Sequence, residues 1–324
     1  MTQPDSVLKN KRKKTVLSII FFSLLFLLVG LGWAFFFEDF DFYRPETPLV
    51  CGVAPSSKQP LRFIAFGDFG QGTPFQAKLA KQMVKAHQRQ PFGLALLLGD
   101  NIYPNGDIKK LAKTHFENPY AGLIERNIQF IATIGDHDDR NGHREDEMSY
   151  FKMPKDYYKV SQGPVDFFIL NTTFFVRSPE QRAWIERALA ESKAPWKIVV
   201  GHHPMYSSGR NGNTDGARKV LEPLMIRYGV DLYLAGHDHD YERFAPIQGV
   251  RYVVSGGGGS YLYNFRKTQP HSEVRLKTHH FLLLEVTQNH LWLKAINRHG
   301  DVIDCVDWGK DADATQNASS SSVL

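Results

Sequence analysis

The chain has 324 residues, of which 42% are hydrophobic, 13% aromatic and 23% charged. This composition excludes a disordered chain, a collagen-like chain and a small disulfide-stapled protein, and the length allows one large domain or two ordinary ones. The net charge is +5, but five basic residues and one acidic residue place +4 of it in residues 1–14. The rest of the chain therefore carries only about +1, and we expect no nucleic-acid partner.

Residues 15–37 contain no charged side chain and are rich in Leu, Ile and Phe. At ~1.5 Å of rise per residue, this run is long enough to cross a hydrocarbon core of ~30 Å, and it exceeds the apolar region of a signal peptide. We predict one transmembrane helix that acts as an uncleaved anchor; cleavage before residue 50 is the alternative. The positive-inside rule places residues 1–14 in the cytoplasm and the part of the chain after the anchor outside, in a periplasmic, extracellular or lumenal space.

The part of the chain that follows the predicted anchor divides by composition. Residues 38–60 form a proline-bearing linker, 61–309 a single domain, and 310–324 a polar, serine-rich tail that we expect to be disordered. The two cysteines, Cys51 and Cys305, lie near the two ends of the predicted domain. In an oxidising compartment they can pair and tie those ends together; the alternative is two small buried apolar residues.

Short apolar runs recur along the predicted domain, and most are followed by a loop rich in glycine, aspartate or histidine. We predict buried strands at 62–66, 94–98, 128–134, 196–200, 231–235 and 252–254. Helical patterns fall at 75–89, 180–192 and 217–228, and antiparallel hairpins at 166–171 and 280–307. The order of elements predicts an α/β fold, built as a mixed sandwich, with ligands bound beyond the carboxyl ends of its strands.

Five of these strands are followed at once by a glycine and then by an aspartate or histidine. The five motifs are Gly67-Asp68, Gly99-Asp100, Gly135-Asp136, Gly201-His202 and Gly236-His237-Asp238-His239. We expect the glycines to let the backbone turn sharply, so that each side chain is presented at the rim of the sheet. Three aspartates and three histidines are suitable ligands for two metal ions that share a bridging carboxylate.

These motifs resemble those of the metallophosphoesterase superfamily and, within it, the purple acid phosphatases. The first motif lacks the usual histidine, and the Gly99-Asp100-Asn101-Ile102-Tyr103 segment matches the purple acid phosphatase motif that supplies a tyrosine instead. The Val254-Ser255-Gly256-Gly257 segment is similar to the family's glycine-rich turn. The resemblance implies a four-layer αββα fold, with two mixed β-sheets flanked by helices, and a tartrate-resistant-type acid phosphatase activity.

The resemblance also implies a ligand set for each of two metals. A ferric ion would be held by Asp68, Asp100, Tyr103 and His239. A second metal, Fe(II), Zn(II) or Mn(II), would be held by Asp100, Asp136, His202 and His237. Asp100 would bridge the two ions, and the bond from Tyr103 to iron would make the protein purple.

Position 136 departs from the family, which has asparagine where this chain has Asp136. A ferric ion, a divalent ion, three anionic ligands and a bridging hydroxide leave one positive charge, which an ionised Asp136 cancels. A neutral cluster attracts a phosphate dianion less strongly and acidifies bound water less. The identity of the second metal therefore stays open, and we hypothesise that Asp136 is still a ligand.

The implied reaction is the hydrolysis of a small phosphomonoester by a metal-bound hydroxide. His137 would protonate the leaving group, with Asp138 orienting its ring. The candidates for substrate binding are Asn101, His203 and Arg210, with Asn211 as a further choice in a loop that lacks the histidine of some relatives; a mobile polar loop is the alternative reading. His203 also fits a place behind the metal ligands.

Two rival functions follow from the same sequence. A phosphodiesterase or nucleotide pyrophosphatase uses the same superfamily core, and a membrane-tethered metal-binding protein would result if Asp136 impaired hydrolysis. Turnover of a phosphomonoester against its diester separates the enzymes, and metal content without turnover indicates the binding protein. The sequence predicts neither the natural substrate nor the oligomeric state.

Overall fold

The computed structural model describes Leu49, Cys51, Gly52 and residues 60–310. The predicted cytoplasmic segment 1–14, the predicted anchor 15–37, most of the predicted linker and residues 311–324 of the predicted tail lie outside the described residues. Among the described residues, no helix has both the length and the apolar character needed to cross a membrane.

A mixed sheet of six strands forms one half of the described structure, in the order β13-β12-β11-β1-β2-β3. Its strands are β1 (Leu61–Phe66), β2 (Leu94–Leu97), β3 (Gln129–Ala132), β11 (His280–Val286), β12 (His290–Asn297) and β13 (Val302–Gly309). Strands β1, β2 and β3 run parallel, and β11, β12 and β13 form an antiparallel meander beside them. This meander is the hairpin region predicted at 280–307.

A second mixed sheet has seven strands among the described residues, in the order β10-β8-β9-β7-β6-β5-β4. Its strands are β4 (Tyr158–Gln162), β5 (Val165–Ile169), β6 (Trp196–Val200), β7 (Leu232–Ala235), β8 (Tyr241–Phe244), β9 (Arg251–Ser255) and β10 (Ser272–Leu276). The parallel run β5-β6-β7-β9 forms its centre. Strands β4, β8 and β10 were not predicted; β8 and β10 each carry two charged residues within a short sequence. The hairpin predicted at 166–171 was wrong in its bounds, because β5 is a single strand there and pairs with β4 before it.

The helices are α1 (Pro74–Arg89), α2 (Ile108–Ala112), α3 (Asn118–Ile124), α4 (Arg144–Tyr150), α5 (Pro179–Glu191) and α6 (Asp215–Arg227), with single helical turns at Lys113–Glu117, Arg140–Gly142 and Phe175–Arg177. The first helix begins where its sequence indicates: the Thr73 side chain accepts a hydrogen bond from the Gln76 amide and a proline follows the cap. It buries Leu79 and Met83. Helices α1, α5 and α6 were predicted; α2, α3 and α4 were not.

Alternate residues of the second sheet face two different cores. Phe167 packs between the two sheets, where its ring meets Phe63 edge-on at 5.1 Å between centroids, and the next residue, Phe168, packs with the residues of α5 and α6. A strand that is buried on both faces reads as a continuous apolar run, as predicted for parallel strands. The prediction of two mixed sheets with helices is confirmed.

The parallel strands of both sheets direct their carboxyl ends to the loops that carry the Gly-Asp and Gly-His motifs. In the first sheet, Phe66 of β1 pairs with Leu97 of β2, and Leu97 pairs with Ala132 of β3, so the following residues start at the same level. In the second sheet, Val200 of β6 pairs with Leu234 of β7. Five predicted ligand loops therefore meet at one edge of the sandwich.

Cys51 and Cys305 form a disulfide, with 5.8 Å between their Cα atoms and 254 residues between them in the chain. Of the two alternatives for these residues, pairing is the correct one. The bond fastens the segment that precedes β1 to strand β13.

Candidate metal centre

Four side chains from the first group of predicted ligands converge on one point. The Tyr103 hydroxyl lies 2.7 Å from Asp100 Oδ2, 3.3 Å from Asp68 Oδ1 and 3.0 Å from His239 Nε2. His239 Nε2 is also 3.4 Å from Asp68 Oδ1. Two carboxylates, a phenol and an imidazole, all buried, thus present one donor atom each to a shared space.

The second group converges on an adjacent point. Asp136 Oδ1 lies 3.3 Å from His202 Nε2 and 3.2 Å from His237 Nδ1. His202 Nε2 also lies 3.3 Å from Asp100 Oδ1. The four donors are two carboxylate oxygens and two imidazole nitrogens, the mixed set that borderline divalent metals prefer.

Asp100 belongs to both groups through different oxygens. Its Oδ2 faces Tyr103, and its Oδ1 faces His202. The Oδ1 of Asp136 is buried and has no hydrogen-bond partner, an arrangement that costs free energy unless a cation compensates it. The donor chemistry and this orphaned oxygen fit two metal ions that share Asp100.

Three of the ligand residues hold a left-handed backbone conformation. The φ angles of Asp68, Asp100 and His237 are 57°, 54° and 69°. Non-glycine residues seldom adopt such angles, and strain of this kind concentrates at functional sites, where the surrounding structure enforces it.

The glycines before the ligands act in two ways. Gly99 has a φ of 87° and gives the expected turn, whereas Gly135 and Gly236 matter through their size. A Cβ atom on Gly135 would lie 2.1 Å from Asp100 Oδ1, and one on Gly236 would lie 2.4 Å from Asp68 Oδ2. Neither glycine has a positive φ. The absent side chains make room for the carboxylates of neighbouring loops.

Backbone carbonyls fix the orientation of two ligating histidines. The Nδ1 of His202 lies 2.9 Å from the Leu98 carbonyl, and the Nδ1 of His239 lies 2.6 Å from the Tyr261 carbonyl. Because a carbonyl only accepts, Nδ1 carries the proton in both rings and Nε2 is left to face the centre. This tautomer is the one that a metal needs.

The electrostatics of the protein alone favour cations at this edge. Burial, reinforced by the carboxylates of Asp100 and Asp68, holds the pKa of Tyr103 well above its ordinary value. Burial lowers the pKa of His202, but Asp100 and Asp136 outweigh it and raise that pKa well above its ordinary value. The concentrated negative charge contributes to both shifts, and bound metal ions neutralise that charge.

The two predicted catalytic residues have different surroundings. His137 lies on the rim with its side chain one-quarter exposed, and its Nδ1 is 2.7 Å from the Pro104 carbonyl. Asp138 is buried and does not touch the His137 ring; its carboxylate accepts from the backbone amides of Asn101, Ile102 and Gly135. Burial, followed by the charge of a neighbouring carboxylate, raises the pKa of Asp138 to about 6. Asp138 therefore braces two ligand loops and does not orient His137.

Among the predicted substrate contacts, Asn101 faces the interior. It is fully buried, and its amide nitrogen donates to the Thr133 carbonyl at 2.9 Å and to Asp138 at 3.0 Å. Because these bonds turn its side chain away from the rim, Asn101 supports the loops and does not contact substrate. Asn101 is buried between the same two loops that Asp138 joins.

His203 and the following loop lie closer to the centre. The His203 ring is 4.4 Å from that of His237, and its Nδ1 is 3.0 Å from Thr172 Oγ1. Asp136, His203 and His237 also present donor atoms within 4.8 Å of one another. His203 thus lies against the second group of ligands, which fits the prediction of a place behind them.

Arg210 and Asn211 occupy different parts of the same loop. The Arg210 guanidinium lies over the ring of Tyr263 at 4.9 Å, and Tyr263 stacks on His239 at 4.0 Å. Asn211 donates to the His237 carbonyl and to Asp238, which fastens the loop to a ligand strand end. Arg210 is exposed, so its role in substrate binding stays a prediction, whereas the hydrogen bonds of Asn211 are structural.

Sequence reasoning missed two residues that shape the centre. Arg140 donates from Nη2 to Asp136 Oδ2 at 2.8 Å. Thr172 Oγ1 accepts from the backbone amides of His202 and His203, at 3.1 and 2.9 Å. The spacing of four residues between Asp136 and Arg140 was a visible signal for the first contact, but the second joins distant parts of the chain.

Comparisons with known proteins identify the family of this chain. The calcineurin-like phosphoesterase family matches residues 61–241. Tartrate-resistant acid phosphatase type 5 from Oryctolagus cuniculus is 31% identical over 253 residues, covering 66% of this chain and 77% of the relative. Purple acid phosphatase 7 from Arabidopsis thaliana is 28% identical over 239 residues, covering 64% of this chain and 72% of that protein.

A similar solved structure is that of purple acid phosphatase PPD1 from yellow lupin (Lupinus luteus) seeds. It superimposes with a TM-score of 0.70 at 22% sequence identity, covering 79% of this chain and 55% of the lupin chain. At that identity the superposition establishes the fold.

The fold and the two ligand groups define a metallophosphoesterase. The chain belongs to the calcineurin-like phosphoesterase family, because the matched residues make up more than half of it. Its curated relatives are tartrate-resistant and purple acid phosphatases, so the resemblance stated from the motifs is confirmed. The prediction of a hydrolase of phosphoric monoesters is confirmed at the level of these homologues, which are acid phosphatases.

Proposed function

We propose that this protein is a dinuclear purple-type acid phosphatase that hydrolyses small phosphomonoesters. The observation that carries the proposal is Asp100, which presents one oxygen to Asp68, Tyr103 and His239 and the other to the second ligand group. The presence of a tyrosine hydroxyl among the donors favours Fe(III) in the first position, with Fe(II), Zn(II) or Mn(II) in the second.

When bound, the two metals supply Lewis-acid stabilisation of the phosphoryl oxygens and a nucleophile at acidic to neutral pH. The side chains of the protein hold the metals, contact the phosphate group and donate a proton. Asp68, Asp100 and Asp136 hold the ions, and the exposed guanidinium of Arg210 is placed to meet a phosphate oxygen in a bidentate contact. His137 presents Nε2 beside Asp136, at 4.0 Å from Oδ2, and is positioned to hand a proton to the leaving group.

We further propose that residues 15–37 anchor the protein in a membrane and that the enzyme acts outside the cytoplasm. The uncharged run and the basic segment before it support this topology. The Cys51–Cys305 disulfide supports it as well, because such bonds persist in oxidising compartments.

Metal analysis, a visible spectrum and an ester panel on the purified protein test the proposed function together. We expect two metal ions per chain, a charge-transfer band that disappears in Tyr103→Phe, and acid-pH turnover of para-nitrophenyl phosphate well above that of its bis ester. Preferential cleavage of the bis ester would instead indicate a phosphodiesterase. Two bound metals without turnover of any phosphate ester would indicate a metal-binding protein.

A further inference from the structure

The carboxylate of Asp136 faces two directions. Its Oδ1 points to the ligating nitrogens of His202 and His237, at 3.3 and 3.2 Å. Its Oδ2 receives a hydrogen bond from Arg140 Nη2 at 2.8 Å. The same side chain is therefore both a candidate metal ligand and half of an ion pair.

We propose that Arg140 acts on the second metal position through Asp136, because its guanidinium offsets the negative charge of that carboxylate. The proposal rests on the dinuclear centre of the proposed function. It concerns a residue pair of this chain, Asp136 and Arg140, which lie four residues apart.

Formal charges show why the arginine matters. With Tyr103 as phenolate, the ligand set carries four negative charges, one more than the same set with asparagine at position 136. The guanidinium of Arg140 carries one positive charge, which restores the balance. The centre then keeps the residual positive charge that attracts a phosphate dianion.

Fold stability gives little reason to keep this pair. The Arg140 side chain is 48% exposed and that of Asp136 is 25% exposed, and ion pairs in such surroundings contribute little to stability. The orphaned, buried Asp136 Oδ1 points instead to a role at the centre. The positive charge of Arg140 at Oδ2 therefore lies next to the carboxylate whose Oδ1 faces the two histidines.

If Arg140 acts by compensating charge, its removal has a different effect from that expected if it only packs the loop. Removing the guanidinium leaves the centre more negative, so a cation should bind more tightly and an anion more weakly. General loosening of the loop would weaken both. The signs of the two changes therefore separate the explanations.

The test uses the full-length protein. The metal-free protein is first titrated with Zn²⁺ by calorimetry, and the Zn²⁺-loaded protein is then titrated with inorganic phosphate. In Arg140→Met we expect Zn²⁺ to bind about three- to tenfold more tightly and phosphate about three- to tenfold more weakly, since one partly screened charge is lost. Arg140→Lys should keep both affinities within about twofold of the parent, because the charge remains. The double change Asp136→Asn with Arg140→Met should also return both to within about twofold, because it restores the parental charge.

Arg218→Met is the matched control. Arg218 contacts Asp215 through the same atom at the same 2.8 Å, on the exposed start of α6, and it should leave both affinities unchanged. The inference would be overturned if Arg140→Met weakened the binding of both Zn²⁺ and phosphate, or the binding of neither. It would also be overturned if Arg140→Lys changed the two affinities as Arg140→Met does. Neither titration needs turnover, so absence of phosphatase activity would remove the proposed function and leave this inference standing.

Discussion

A single proton position decides what His137 can do. Its Nδ1 lies 2.7 Å from the Pro104 carbonyl, which can only accept, so Nδ1 carries a proton in every protonation state that keeps this bond. Nε2 is then the nitrogen that gains or loses a proton, and it is the one nearer Asp136. The ring also packs against Tyr103, with 4.4 Å between centroids, which keeps Nε2 on the open side of the centre.

We predict that His137→Ala slows alkyl phosphates with poor leaving groups by about 100-fold or more, because such leaving groups need a proton in the transition state. Aryl phosphates such as para-nitrophenyl phosphate should slow much less. The measurement is kcat over a series of esters of increasing leaving-group pKa. His143→Ala is the control, since His143 lies in the same loop beside Asp146. Equal slowing of aryl and alkyl esters would show that His137 is not the acid.

The candidate metal ligands could be predicted from the sequence, but the residues that hold the ligand loops in place could not. Asp68, Asp100 and His202 each follow a buried strand and a glycine, so position along the chain was enough to single them out. The predicted roles of Asn101 and Asp138 were wrong in detail, because both side chains turn inward and bond to each other at 3.0 Å. A motif specifies which residues gather, but the direction of a side chain depends on its neighbours in space.

At the scale of elements, the junction between β9 and β11 depends on a buried histidine. His280 is fully buried at the start of β11; its Nε2 lies 2.9 Å from Ser255 Oγ on β9 and its Nδ1 lies 3.0 Å from the Thr278 carbonyl. Nδ1 therefore donates to the carbonyl, and in the neutral ring Nε2 accepts from the Ser255 hydroxyl. Burial lowers the pKa of His280 to about 4.

We predict that acid destabilises the protein partly through this ring. Its folded pKa is lower than the unfolded value of about 6.5, so the unfolded state binds the extra proton first. The stabilisation is complete above pH ~6.5 and is lost as the pH falls toward about 4, by on the order of 3 kcal/mol. His280→Gln can keep both hydrogen bonds without titrating. Urea unfolding at pH 7 and pH 4.5 should show a smaller loss of unfolding free energy in the variant than in the parent; equal losses would contradict the assignment.

At the scale of the whole molecule, the alternation of strands and helices was enough to predict a mixed α/β sandwich. It was not enough to predict which strands share a sheet. The meander β11-β12-β13 returns from the end of the chain to pair β11 with β1, more than two hundred residues earlier. Strands β8 and β10 carry charged residues such as Glu242 and Arg275, so no apolar run marks them. Pairings between distant segments depend on tertiary packing, which single-chain patterns do not record.

The disulfide allows a prediction about the molecule as a whole. Cys305 lies in register with Lys294, Leu283 and Ile64 across the first sheet, three strands away from the strand that leads to Asp68. At ~4.8 Å per strand this separation is about 14 Å, so we expect no direct effect of the bond on the metal centre. The effect falls on the unfolded chain, which the bond closes into a loop of more than 250 residues.

We therefore predict that Cys51→Ser with Cys305→Ser lowers the free energy of unfolding by about 4 kcal/mol, near the upper part of the usual range because the closed loop is long. Metal content and kcat at 25 °C should stay at the parental values. The measurement is denaturant unfolding of parent and variant, with and without a reducing agent. Reduction should bring the parent down to the stability of the variant and leave the variant unchanged. A parental protein that keeps its full stability after verified reduction would show instead that packing between the N-terminal segment and β13 holds these ends together without the bond.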